Sequence, residues 1–179
     1  MTKKTYEHNP PHIFMDDAAY FITAAIYQKR PLLNSPELKA NLLQCIQHYF
    51  DQHQWLLQHW VILDNHYHLL GHSHKGHELP KLINEIHSVS GFHIKHATKT
   101  HGQVWWNYWD YCPRDENDYL LRLNYLLMNP VKHGYTTRLS EYPFSSFHQT
   151  LADCGREHLV QQFKSHPGYK DLKLPEDDF

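Results

Sequence analysis

The sequence predicts an α+β domain: one mainly antiparallel sheet of four to five strands with helices packed on it. Three observations lead there. Short β-branched and aromatic runs alternate with longer segments of helical periodicity, in the order strand, helix, strand, strand, helix, strand, helix. The second and third strands are separated only by Asp64-Asn65, a pair suited to a tight turn between antiparallel neighbours. No internal repeat and no interdomain linker interrupts the series, so residues 1–150 read as one domain and 151–179 as a polar, partly flexible extension.

The elements follow in order. Tyr20 to Tyr27, "YFITAAIY", reads as a strand and is broken by Lys29-Arg30-Pro31. Ser35 caps a helix with Pro36 at its first position; Leu38, Leu42, Leu43, Ile46, Tyr49 and Phe50 recur at helical spacing and carry it to about Gln52. Trp55 to Leu63 and His66 to His72 are the next two strands. Glu78 to Thr100 predicts a long helix, weakened at Ser90-Gly91 and stopped by Gly102. Val104 to Tyr111, "VWWNYWDY", is an aromatic strand bounded by Pro113. Asp115 caps a last helix that should end near Asn129, because a residue before proline avoids helical geometry. After Gly134 the chain reads as irregular, and "KDLKLPEDDF" as a frayed acidic end.

Composition narrows the function classes. No apolar run is long enough for a bilayer span, and "MTKKTYEHNPPH" has no apolar signal core behind it, so the expected location is cytoplasmic, with no membrane partner. Cys45, Cys112 and Cys154 are isolated, which points to neither a thiolate zinc site nor a disulfide framework. A net charge of −2 supplies no bulk attraction for nucleic acid. Part of that balance lies beyond Leu151, where six acids face four bases. Against it stand 18 histidines, which gain charge in mild acid or near phosphates, and an aromatic content of 14 % that supplies stacking faces.

In "VILDNHYHLL" a strand carries His66 and His68 on one face, with Tyr67 on the other. Residues i and i+2 lie roughly 6.5–7 Å apart along a strand, so both imidazoles can reach one cation. By spacing alone the pair fits surface decoration, a packed pair or half of a metal site. The hydrolase pattern of three alternating histidines is broken in "HYHLLGH". On the last helix, Asp118, Arg122, Tyr125 and Asn129 fall within about 60° of one another, away from the apolar stripe. That presents a phenol, an amide and a guanidinium together, or an ordinary solvated face.

Taken together, "NHYHLL" and, some way on, "YLLMNPVKHGY" resemble the REP-associated tyrosine transposases, a branch of the single-tyrosine HUH transposases. The shared pattern is Asn-His-hydrophobic-His-Leu-Leu, then Tyr-x-x-x-Asn-Pro-Val-Lys/Arg-x-Gly. It falls on Asn65 to Leu70 and on Tyr125, Asn129, Pro130, Val131, Lys132 and Gly134. Leu63-Asp64 stands where the family often has Met-Pro, and Tyr67 fills a usually aliphatic slot.

The resemblance implies an HUH transposase-like sheet of ferredoxin-like topology that cuts and rejoins single-stranded DNA, expected as a hairpin or palindromic repeat. It implies Tyr125 as nucleophile, forming a 5′-phosphotyrosine, and a divalent ion (magnesium or manganese) held by His66, His68 and Asn129. Arg122, Lys132, Lys95, Lys99 and Arg138 are candidate DNA contacts, with an i,i+4 salt bridge to Asp118 as the alternative for Arg122. The protein would act as monomer or homodimer. Two other readings are a catalytically idle or domesticated hairpin-binding protein of the same fold, and a metal-dependent hydrolase of small phosphate esters.

Overall fold

The computed structural model describes residues 14–174, so the N-terminal stretch 1–13 read above, and the end of the acidic tail at 175–179, lie outside the described residues. In order, the chain forms β1 (Ala19–Ile26), α1 (Pro36–Gln52), β2 (Leu56–Ile62), β3 (His66–His72), α2 (Leu79–Thr98), β4 (Trp105–Tyr111), α3 (Glu116–Lys132), α4 (Phe147–Cys154) and α5 (Arg156–Ser165). The four strands pair in the order β2-β3-β1-β4, every pair antiparallel. That is the path of a ferredoxin-like βαββαβ unit followed by further helices. No helix among the described residues is long and apolar enough to cross a membrane.

Alternation along the strands divides the interior in two. Tyr20, Ile22, Ala24 and Ile26 of β1, with Tyr67 and Leu69 of β3, pack under α1 and α2. Phe21 and Leu70 face the other way, against Leu123, Leu126 and Leu127 of α3. The opposite register in β3 therefore sends His66 and His68 to the α3 side. Ser35 Oγ accepts from the Leu38 amide at 3.2 Å, as its place before Pro36 leads one to expect.

Three elements differ from the sequence reading. A short 3-10 turn at Gly76–Glu78 precedes α2, which ends at Thr98 because Lys99 turns left-handed (φ 56°) before Gly102 is reached. Ser90 and Gly91, far from weakening the helix, are buried where β4 packs on it: the Trp105 indole donates to Ser90 Oγ at 2.9 Å. α3 runs through Pro130 to Lys132. Proline costs one hydrogen bond there, but the His133, Gly134 and Tyr135 amides close the last turn onto Asn129, Val131 and Pro130 carbonyls at 3.0, 3.1 and 2.9 Å. Beyond Gly134, α4 and α5 form where irregular chain was expected. Leu159 and Leu174 are buried on the α3 side, and buried Asn124 of α3 accepts from Gln162 Nε2 at 2.7 Å.

Asp64 and Tyr67, both departures from the resembled pattern, have partners. Lys39, 6 % exposed, reaches the Asp64 carboxylate at 2.6 Å and pins the turn that leads into His66. The Tyr67 hydroxyl meets His87 Nε2 at 2.9 Å, and His87 stacks flat on Trp105. Burial pushes His87 down to about 3 and His59 to about 4. Both are thus neutral in the folded protein while the unfolded chain takes up protons below about 6.5. Stability should be full above that pH and fall as pH drops through the window down to 4, by up to about 1.4 kcal/mol per pH unit for each histidine. Urea melts from pH 7 to pH 4 measure this; a flat profile would contradict it.

Candidate active site

Two strand residues set the stage for the histidines. Across β1, Ala25 stands opposite His66 and Thr23 opposite His68. Thr23 Oγ1 lies 2.6 Å from His68 Nδ1. Asn65 uses its Nδ2 to donate to the Lys29 carbonyl at 3.2 Å, which turns its Oδ1 toward His66 Nδ1 at 2.7 Å. An amide oxygen only accepts, so His66 donates from Nδ1 and offers a lone pair at Nε2. With both Nδ1 atoms engaged behind them, the two Nε2 atoms face forward.

What they face is Asn129, fully buried on α3. Its Oδ1 is 3.1 Å from His66 Nε2, and its Nδ2 donates to His68 Nε2 at 3.2 Å. In the neutral ring the Asn129 oxygen and the His66 Nε2 lone pair are two acceptors turned toward each other, and a cation coordinated by both would relieve that repulsion. Burial holds the His68 pKa well below the usual range, helped by the neighbouring imidazoles of His66 and His133 and by Lys132. Neutral imidazole is the form a metal needs. Among the described residues no three His, Cys, Asp or Glu side chains gather into a metal-holding cluster. An ion here would rest on two imidazoles and one amide oxygen, with water or phosphate completing its shell, and that donor set fits a divalent ion.

Tyr125 lies one turn before Asn129 and is 2 % exposed. Its ring stands edge-on to His68 at 5.4 Å and to Phe21 at 6.3 Å. Lys132 folds back along the helix, donating from Nζ to the Tyr125 hydroxyl at 2.9 Å. His133 brings a third imidazole, its centroid 5.0 Å from that of His66.

Histidine strand and tyrosine helix thus meet at one amide. The family model described as "Transposase IS200 like" matches residues 15–113, more than half of the chain. The chain belongs to this transposase family. The matched span includes β1 to β4 and both histidines, and stops short of α3. A REP-associated tyrosine transposase of Escherichia coli (strain K12) is 31 % identical over 96 residues, 52 % of this chain and 54 % of that protein. A second relative, from Haemophilus influenzae, is 36 % identical over 70 residues and is covered over 36 % of its length. The chain therefore spans about half, or less, of the curated relatives it matches. A solved REP-associated tyrosine transposase bound to a REP hairpin is similar in fold, with a TM-score of 0.68 at 24 % identity over 81 % of this chain and 86 % of that one.

Against this family background the structure brings His66, His68, Tyr125, Asn129 and Lys132 together and leaves the other candidates apart. Arg122 is buried, its guanidinium 3.6 Å from the Tyr111 ring centroid and its Nε 3.4 Å from Asp118, so the i,i+4 pair with Asp118 is present. Lys95 and Lys99 are exposed on the α2 side of the sheet. Arg138 pairs with Glu141 through its Nε at 2.7 Å. Lys132, a candidate DNA contact, reaches the Tyr125 phenol. Thr23 and His133 were missed: only the pairing register of β1 with β3 marks Thr23, and only the continuation of α3 past Pro130 marks His133.

Proposed function

We propose that this chain is a transposase that cuts and rejoins single-stranded DNA, presented as a hairpin, with Tyr125 as nucleophile and magnesium or manganese bound at His66, His68 and Asn129. The observation that carries this reading is the Asn129 amide, which spans both Nε2 atoms one helical turn from a tyrosine whose oxygen is held by an ammonium. A related protein of the same fold holds a REP hairpin, which supports a hairpin as the substrate here.

The chemistry asks for few groups. The Tyr125 oxygen forms a bond to phosphorus while the bond from phosphorus to the 3′ oxygen breaks. The phenol proton passes to water, and the departing oxygen takes one up to become a 3′-hydroxyl. A bound divalent ion supplies Lewis acidity toward a non-bridging phosphate oxygen. Lys132, donating to the tyrosine oxygen, stabilises the charge that develops there and does the same when the tyrosine is expelled again. His66 and His68 are held in place by Asn65 and Thr23 rather than by solvent, so their orientation is set before DNA arrives. The phosphotyrosine conserves the energy of the cut bond, and rejoining needs no ATP.

Asn129→Ala should weaken manganese binding about 10- to 100-fold and slow cleavage, with partial rescue at high manganese, while Asn129→Asp retains metal binding. Titrating manganese into the folded proteins tests it; equal affinities for wild type and Asn129→Ala would remove Asn129 from the metal site and leave it a helix-packing residue. The burial of Tyr125 favours a second reading, a hairpin-binding protein that no longer cuts. Incubation with labelled single-stranded DNA separates the two: a denaturation-resistant adduct supports strand cutting, and binding without an adduct supports the idle protein.

A further inference from the structure

On the far side of the sheet from Tyr125, a cleft of about 370 Å³ opens between α2 and the segment leading into β4, lined by Phe92, Lys95, Gln103 and Trp105 among others. Its floor is made as much by what is missing as by what is present. Gly91 adds no side chain, so Trp105 and the His87 ring stacked on it at 4.5 Å form the inner wall. At the mouth stands Phe92, 68 % exposed, an unusual position for a large aromatic side chain on a well-packed helix. Gln103, on the opposite lip, donates from Nε2 to the Trp105 carbonyl at 2.9 Å, and its own carbonyl is held by Arg30.

Charge sets this cleft apart. From Ile86 to Trp109 the chain has no Asp or Glu, but it has Lys95, Lys99 and several histidines. Two other clefts carry carboxylates in their walls, Asp51 and Asp153 in one and Glu78 in the other. An exposed aromatic face beside Lys95, with no acid in the lining and Lys99 one turn further on, just past the end of α2, complements an anion that carries a flat ring. The volume suits one base with its sugar and is too small for a duplex.

We propose that this cleft binds one unpaired nucleotide of the DNA, its base stacked on Phe92 and its neighbouring phosphates on Lys95 and Lys99. The site is distinct from the tyrosine centre, and the inference rests on the reading of this chain as a DNA-processing protein. It gives Lys95 and Lys99 a shared task that neither has as an isolated surface cation. Because His87 also bonds to Tyr67, the wall of the cleft is tied to the strand that carries His66 and His68.

The test uses a DNA hairpin whose loop thymines are replaced by 5-iodouracil, irradiated with the full-length protein and mapped by mass spectrometry. A cross-link in the peptide containing Phe92 is expected. Phe92→Ala should weaken hairpin binding about tenfold, the loss of one stacked base. Lys95→Ala should weaken it less and flatten its salt dependence. Unchanged hairpin affinity in Phe92→Ala, with cross-links confined to α3 and its flanking loops, would overturn the cleft while leaving strand cutting intact. Hairpin binding through Phe92 without any adduct would do the reverse. If Phe92→Ala instead turns a dimer into a monomer at unchanged affinity, the face belongs to a second copy and the proposal fails.

Discussion

Tyr125→Phe is expected to abolish covalent capture of DNA entirely while leaving a folded, hairpin-binding protein. The substitution removes one oxygen and keeps the ring that packs edge-on to Phe21 and His68. The lost contact is the bond from Lys132, whose exposed ammonium turns to water, so the stability change should stay near about 1 kcal/mol. Denaturing gels of labelled DNA, with a thermal melt alongside, measure both effects. An adduct that persists and maps to Tyr119 or Tyr135 would move the nucleophile. Neither of those is placed for the role: Tyr119 points its hydroxyl at Gln58, and the Tyr135 ring stands edge-on to Tyr142.

His66→Ala and His68→Ala are expected to lower cleavage by about a thousandfold or more, since several kcal/mol of charge stabilisation depend on the ion they would hold. The two should differ in stability. His66 is half-buried, and its removal is expected to cost little. His68 is 1 % exposed, stacked on Phe21 at 5.4 Å and bonded to Thr23, so alanine leaves a void and removes the Thr23 hydroxyl's bond to Nδ1. A melt therefore has to accompany the assay of His68→Ala, while His66→Ala gives the cleaner answer. Full cleavage by either variant, or by wild type in excess chelator, would rule out metal-dependent cutting at this pair.

Much of this arrangement is legible in the sequence because local rules point one way. Asp64-Asn65 between two apolar runs makes a hairpin, and a period of two then puts His66 and His68 on a shared face with no further information. Ser35 before Pro36 marks a helix start in the same manner. The spacing of Tyr125 and Asn129 survives any small error in the helix bounds.

What escapes is decided by partners far along the chain. Pro130 looks like a helix end until the Tyr135 amide closes onto its carbonyl. Arg122 looks like a phosphate contact until Tyr111, brought by β4, lies flat against it. Lys132 looks like a surface cation until the two helical residues beyond Pro130 carry it back over the phenol. α4 and α5 are short, 8 and 10 residues, and form because α3 offers them an apolar face and Asn124 a buried amide partner. Tertiary contacts of this kind override local propensity, and no single stretch announces them.

β3 is an interior strand, laddered to β2 on one edge and to β1 on the other. Amide hydrogens there exchange with solvent only when two ladders part together, which places them among the slowest in a molecule of this kind. α3 has no such double tether; side-chain packing holds it to the sheet. If Tyr125 is the nucleophile proposed above, a phosphodiester would have to reach a tyrosine that is 2 % exposed, and the helix and its flanking loops are the elements free to open for it. The two imidazoles would keep their spacing throughout, a fixed reference against which the nucleophile moves.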